Sequence, residues 1–217
     1  MKKFFISLVA VLAMSLTTEV FAQQNHNVQG NITNEARKKA SKDASKEAKK
    51  WEKEGWKSVG AGTILSMFEK YYLMSAETDA YYTTTWSFGQ SQSSSKIANV
   101  ARTKTMAMAR EDLAANLKTT LTSSFEQQTT EIAHSDEETS AMQKVVTDGM
   151  QKVTDQVLTH IIPVVQLMRQ QNGQTEYYIV LAYSARNAME KVLNEQQEEI
   201  AKMRPELRAK IEEIRGW

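Results

Sequence analysis

Apolar side chains recur at every third or fourth position over three long stretches of the chain, which predicts amphipathic helices. The first stretch is Lys96–Thr129, and the second is Ser135–Thr159, which opens with Ser135 and Glu138 as a capping-box pair. The third follows Ser184, its expected N-cap, with heptad-like spacing, and Pro205 should kink it or restart it in a first-turn position. The predicted buried face of the first helix consists of Met106, Ala109, Leu113, Leu117, Leu121 and Phe125.

Three other stretches are typical of β-strands, because β-branched, aromatic and other apolar residues dominate them. They are Ala80–Phe88, Ile161–Arg169 and Gln174–Ser184, and Asn172-Gly173 predicts a hairpin between the last two. Both side-chain rows of the last stretch are apolar or aromatic, so we expect both of its faces to be at least partly covered. Gly89–Ser95 is expected to be a loop. The pattern predicts an α+β fold in which long helices pack on a three-stranded antiparallel sheet.

The segment from Asn34 to Lys57 predicts a charged helix with Asn34 as its N-cap. Alanine recurs at every fourth position, so the apolar stripe is only a methyl group wide until Trp51. Such a stripe buries little area, so the helix is either loosely docked or pressed closely against another helix, and we expect it to be an interaction element outside the core. A second amphipathic helix, Thr63–Ala76, should place Leu65, Phe68, Tyr72 and Leu73 on its inner side.

The first 22 residues have the features of an export signal. Lys2 and Lys3 precede an apolar run, and Val20-Phe21-Ala22 supplies small residues at the positions that a signal peptidase reads. The run is shorter than the ~20 apolar residues of a spanning helix. We therefore expect an exported protein, periplasmic or peripherally associated with the envelope, without a transmembrane segment in the mature chain. The expected organisation is a signal peptide (1–22), a flexible lead-in (23–33), an N-terminal helical segment (34–79) and an α+β domain with a long C-terminal helix (80–217).

Composition narrows the classes of function. The chain has 27 basic and 26 acidic residues, and loss of Lys2, Lys3 and Glu19 with the signal leaves the two signs balanced. A balanced chain has no overall field to attract nucleic acid, so no nucleic-acid partner is expected. The sequence contains no cysteine, which excludes disulfides, zinc-thiolate sites and a lipid-accepting cysteine, so lipid anchoring is not expected.

Several motifs resemble a known family of envelope proteins. Ala-Asn-Val-Ala-Arg, Ala-Met-Ala-Arg and Asp-Leu-Ala-Ala-Asn-Leu lie within Ala98–Leu117, and Ile-Ile-Pro-Val-Val and Tyr-Tyr-Ile-Val-Leu-Ala-Tyr follow later. Together they resemble the LPP-twenty type of bacterial envelope lipoprotein domain over roughly Tyr81–Gln197. The run Ala48–Lys57 is also similar to one in uncharacterised exported proteins of Bacteroidota. The resemblance implies a helix pair and a hairpin but no catalytic motif, and this chain lacks the family's lipid-accepting cysteine.

The search for reactive groups yields no catalytic, cofactor-binding or metal-binding residue. The three histidines, His26, His134 and His160, lack helical pair spacing, and the acids after His134 suit a first helical turn better than a cation site. The serine of Gly89-Gln-Ser-Gln is not followed by the second glycine of a nucleophile elbow. The adjacent acid pairs Glu111-Asp112 and Glu198-Glu199 diverge on helices, so solvated faces are the simpler interpretation.

Aromatic and basic side chains at the end of the first helix are the candidate interaction residues. Lysines interleaved with tryptophans can bind polyanions, glycans or a surface, although two tryptophans buried against the domain are the simpler interpretation. We expect a non-enzymatic envelope module that binds a protein or a cell-wall component. The alternative is a hydrolase of an envelope polymer that uses carboxylates assembled by the fold. The oligomeric state is not predicted. The candidate residues are Trp51, Trp56, Lys49, Lys50 and Lys53.

Export with cleavage before Gln23 is directly testable. N-terminal sequencing of protein from the soluble envelope fraction should begin at Gln23, because the charged start, short apolar run and Val-Phe-Ala end occur together. Retention of Met1, or extraction only with detergent, would contradict this prediction.

Overall fold

The chain folds as an α+β protein whose helices precede, separate and follow the strands of one sheet. The computed structural model describes residues 32–60, 62–78, 84–129, 135–157 and 160–215, so the predicted signal peptide lies outside the described residues. Within these ranges there are seven helices and four strands. In chain order they are α1 (Asn34–Lys53), β1 (Lys57–Ser58), α2 (Ile64–Ala76), β2 (Trp86–Ser95), α3 (Ala98–Thr129), α4 (Asp136–Val157), β3 (Ile162–Gln171), β4 (Gln174–Ser184), α5 (Ala185–Glu195), α6 (Gln197–Ala201) and α7 (Pro205–Arg215).

The sheet is antiparallel with strand order β1-β3-β4-β2. The predicted hairpin is confirmed: Asn172 (φ 53°) and Gly173 (φ 72°) join β3 to β4, and two positive φ values fit the right-handed twist of the pair. The structure adds a fourth strand, β1, to the three that the sequence pattern predicts; its two residues pair with Met168 and Leu167 of β3. A two-residue strand carries no alternation by which it could be recognised in sequence.

The position of β2 corrects the sequence prediction. The strand was expected at Ala80–Phe88 and a loop at Gly89–Ser95, whereas the strand is Trp86–Ser95, and residues 79–83 lie outside the described part. Its serines bond to α3: Ser87 Oγ donates to Thr120 Oγ1 (3.2 Å), and the Ser93 and Thr105 hydroxyl oxygens are 2.6 Å apart. Because serine hydroxyl groups make the contact with α3, this part of the strand does not show the alternation of apolar and polar residues by which strands are recognised.

Helices cover both faces of the sheet, as the two apolar rows of β4 predict. Ile179, Leu181 and Tyr183 face a core formed with α3, α4, α5, α6 and α7. Val180 and Ala182 face a second core formed with α1 and α2. The protein therefore has three layers, with the sheet in the middle.

Helix α1 belongs to the second core, so the expectation that it lies outside the core is wrong. Ala40, Ala44 and Ala48 are almost fully buried, and Ser41 Oγ donates to Glu69 Oε1 of α2 (3.2 Å). Small side chains let α1 pack closely on α2, which is how so narrow an apolar stripe comes to be buried. Thr33, rather than Asn34, caps the helix.

The other predicted helices are confirmed with three corrections. In α2, Ile64, Met67 and Phe68 are buried, while Leu65 points outward. Helix α4 was expected on the sheet and packs instead mainly on α3 and α5. The expected long C-terminal helix is divided into α5, α6 and α7, with Pro205 as the first residue of α7, where its missing N–H is harmless. The predicted capping role of Ser184 holds, since its hydroxyl accepts from the Asn187 amide.

Helix α3 runs along β2 and at Gly89 lies so close to it that there is no room for a side chain. A Cβ atom at Gly89 would lie 2.2 Å from the Leu113 nitrogen and 2.3 Å from the Ala109 oxygen, both of them backbone atoms of α3. Backbone atoms cannot rotate away as a side chain can, so only glycine permits this approach.

Gly89→Ala should therefore lower the free energy of unfolding by about 3 kcal/mol or more, because the helix must move away from the strand. Chemical denaturation measures the change. Ser94→Ala, at an exposed position of the same strand, is the matched control and should stay within about 0.5 kcal/mol of the parent. A Gly89→Ala variant as stable as the control would mean that α3 does not touch β2 here.

Candidate interaction surface

The predicted lysines and tryptophans of α1 occupy different environments. Lys49, Lys50 and Lys53 are exposed on the outer side of the helix, and Lys50 Nζ lies 3.7 Å from Glu47 Oε1. Trp51 is half-buried and its Nε1 donates to Glu47 Oε1 (2.7 Å). The lysines are thus accessible, whereas Trp51 turns toward the sheet.

Trp56 is buried beneath Arg169 of β3. Its side chain is 3% exposed, the Arg169 guanidinium lies 4.6 Å from the ring centroid, and Arg169 Nε donates to Glu176 Oε2 (2.8 Å). A guanidinium over an indole face is a favourable cation–π arrangement. Trp56 therefore serves packing, which agrees with the simpler interpretation of the two tryptophans; a binding role for the accessible lysines and Trp51 stays a prediction.

Tyr178 of β4 connects helix α1 to β2, the strand at one edge of the sheet. Its ring stacks on Trp51 with centroids 4.4 Å apart, and its hydroxyl donates to Gln90 Oε1 (2.9 Å). Burial raises the pKa of Tyr178 above its ordinary value, and the nearby Tyr71, Glu47 and Tyr72 raise it further. The phenol therefore keeps its proton, and its hydrogen bond, throughout the physiological range.

The remaining sequence candidates have structural roles or lie outside the described residues. Glu138, in the acidic first turn of α4, pairs with Arg204, and Glu199 pairs with Lys202. His134 is outside the described part, and within that part no group of three or more histidine, aspartate or glutamate side chains could hold a metal ion. An open crevice of about 510 Å³ lies between α6 and α7, and the described residues that line it include one carboxylate, Glu212.

A different surface is formed where β2 ends the sheet. In the first part of this free edge, side chains of α3 satisfy the backbone: Asn116 Nδ2 donates to the Phe88 carbonyl (2.9 Å), and the Gln90 amide donates to Asp112 Oδ2 (2.8 Å). In an antiparallel strand, the backbone groups of alternate residues point to the same edge. Gln92 and Ser94 therefore present their amides and carbonyls to this edge too, and no described residue bonds to those groups.

The row of α3 side chains beside this edge is polar at one end and apolar or basic at the other. Residues four apart share one side of a helix, so Asn116 and Asp112 continue into Met108, Lys104 and Val100. Four helical residues rise about 6 Å and two strand residues about 7 Å. Because Asn116 and Asp112 are level with Phe88 and Gln90, the next members of the row are level with Gln92 and Ser94.

Exposed apolar and basic side chains are concentrated in this part of α3. Among the described residues, four large hydrophobic side chains are exposed, and three of them are Ile97 (63%), Val100 (51%) and Met108 (41%). From Lys96 to Arg110 the chain has four basic residues and no acidic one, and no ion pair involves these four within the described part. They are Lys96, Arg102, Lys104 and Arg110.

We call this surface the β2–α3 edge and define it by Gln92, Ser94, Ile97, Val100, Lys104 and Met108. Sequence analysis missed it because Gln92 and Ser94 were assigned to a loop. One available signal was the pair of apolar side chains Val100 and Met108 beside the predicted buried face of α3, which a helix with a single covered side would not need.

No family model matches the chain, and neither a curated protein nor a solved structure matches it. The resemblance to the LPP-twenty type of domain accordingly stays a prediction. Among the described helices, none combines the length and the apolar character that crossing a membrane requires.

The raised pKa of Tyr178 predicts the alkaline limit of stability. A group whose pKa is raised on folding contributes stability that is complete below its unfolded pKa, about 10 for tyrosine, and is lost as the pH rises toward the folded value. The free energy of unfolding should therefore fall above about pH 10, and Tyr178→Phe should make that fall shallower. Urea denaturation at pH 8 and pH 10.5 measures both, with Tyr177→Phe on the opposite face as the control. An equally steep fall in Tyr178→Phe would contradict this assignment.

Proposed function

We propose that the protein is an exported, non-enzymatic binding module that uses the β2–α3 edge to hold another protein. The observation that carries the proposal is that three of the four exposed large hydrophobic side chains of the described part lie within residues 97–108, just before α3 and in its first turns. Scattered apolar side chains are ordinary on a surface, whereas grouped ones favour an interaction site.

The edge supports a protein partner over a glycan. Unpaired backbone amides and carbonyls at Gln92 and Ser94 match the hydrogen-bonding groups of another polypeptide. Exposed aliphatic side chains suit apolar side chains better than the hydroxyl-rich surface of a cell-wall polymer. A glycan would be better matched by the half-buried aromatic rings around Trp51, which already pack on one another.

The part of the proposal that the protein is exported rests on the signal-like first 22 residues. The alternative, a hydrolase, requires two carboxylates facing each other in a cleft, whereas the described residues that line the crevice between α6 and α7 include one carboxylate, Glu212. The ion pairs of Glu138 and Glu199 likewise leave those acids in structural roles.

Photo-crosslinking in the source cells tests the proposed surface. A photoreactive side chain at Met108 should yield discrete adducts with another protein, because this position lies on the β2–α3 edge. Leu65 is the matched control, since it is a similarly exposed apolar side chain (38% against 41%) on α2. It should yield no such adduct.

A second variant separates specific binding from chance proximity. Val100→Asp, placed two helical turns from the photoreactive group, should remove the Met108 adducts while leaving the protein folded, because Val100 is exposed. Adducts equal at positions 65 and 108, or unaffected by Val100→Asp, would count against the proposed function.

A further inference from the structure

We infer that the β2–α3 edge takes an extended segment of another polypeptide as a fifth strand of the sheet, and that the segment carries apolar and acidic side chains toward α3. This inference rests on the proposed function and specifies its mode of binding and its partner. It combines three observations: an open stretch of strand edge, exposed apolar side chains beside that edge, and basic residues without acidic ones in the Lys96–Arg110 segment.

The backbone of β2 supplies the pairing groups. Asn116 and Asp112 close the edge at Phe88 and Gln90, so an added strand can pair only beyond Gln90. There Gln92 and Ser94 each offer one amide and one carbonyl. A segment that pairs with both residues makes up to four backbone hydrogen bonds, which is the basis of binding by strand addition.

Helix α3 selects the side chains of the segment. Alternate side chains of an added strand would point toward the α3 side of the sheet, where Met108, Lys104 and Val100 lie beside the edge. Met108 and Val100 favour apolar contacts, and Lys104 favours a carboxylate between them. The other side chains of the segment would lie beside Gln90, Gln92 and Ser94, which are exposed and polar.

Charge complementarity decides between a different polypeptide and a second copy of this chain. Pairing of β2 with β2 of another copy would bring the Lys96–Arg110 segments of two α3 helices side by side. Each segment carries four basic residues without a compensating acid, so the two would repel one another. An acidic segment would instead be attracted by Lys104 beside the edge and by the net positive charge of the Lys96–Arg110 segment.

Synthetic peptides test the partner's chemistry on the full mature chain. In the probe peptide, the residues on one face of the strand are valine and glutamate in turn, and those on the other face are threonine. A second peptide has lysine in place of glutamate. Fluorescence anisotropy should show binding of the acidic peptide and at least about tenfold weaker binding of the lysine peptide, which corresponds to about 1.4 kcal/mol. Equal binding of the two peptides would overturn the acidic partner.

Two changes to the backbone test strand addition. Gln92→Pro removes an outward amide without removing a bond to β4, and proline is tolerated on edge strands. It should abolish binding, whereas Gln92→Ala, which keeps the amide, should not. Methylating the alternate amides of the peptide removes the same hydrogen bonds from the partner's side and should also abolish binding, which keeps the test decisive if Gln92→Pro does not fold.

The variants distinguish failure of this inference from failure of the proposed function. If Val100→Asp weakens binding but Gln92→Pro and peptide methylation do not, the surface binds through side chains and strand addition is wrong. If none of the changes affects binding, both proposals fall. If sedimentation shows that the chain dimerises and that Gln92→Pro makes it monomeric, the edge belongs to a second copy and the inference is overturned.

Discussion

The contact between α3 and Gly89 of β2 determines much of the architecture. At this point the helix backbone lies against the strand backbone, with Ala109 and Leu113 occupying the space that a side chain would need. This approach buries Ala109, Leu113 and Leu117 against the sheet and continues into the core that α3 forms with α4, α5 and α7. It also fixes which residues of α3 stand level with each residue of β2.

That alignment gives the free edge of the sheet two different parts. Near Phe88 and Gln90 the helix presents Asn116 and Asp112, whose polar side chains close the edge. One and two turns earlier it presents Met108 and Lys104, and in the described part neither side chain bonds to the backbone of β2. Open strand edges tend to pair with other chains, and proteins usually block them with charge, bulges or cover. Here Asn116 and Asp112 block the edge only as far as Gln90, and we attribute the open stretch beyond Gln90 to function.

Sequence analysis succeeded where local chemistry decides the structure. Asn172-Gly173 predicts its turn because both residues tolerate positive φ, and Ser184 and Pro205 predict helix starts through a hydroxyl cap and a missing amide. It failed where a distant element decides. The alanine row of α1 is buried because α2 supplies a close partner, and polar β2 is a strand because hydroxyl groups of α3 meet its serines. The β2–α3 edge depends on which residues of α3 lie beside which residues of β2, and no local sequence pattern determines that alignment.

Amide hydrogen exchange along β2, followed by NMR on the monomeric protein, tests this account of the edge most directly. The Gln90 amide should be protected by Asp112, and Asp112→Ala should remove that protection. The amides of Gln92 and Ser94 should exchange rapidly, while those of Ser91 and Ser93, which point toward β4, should exchange slowly. Slow exchange at Gln92 and Ser94, equal to that at Gln90, would mean that the edge is already closed and would contradict the account.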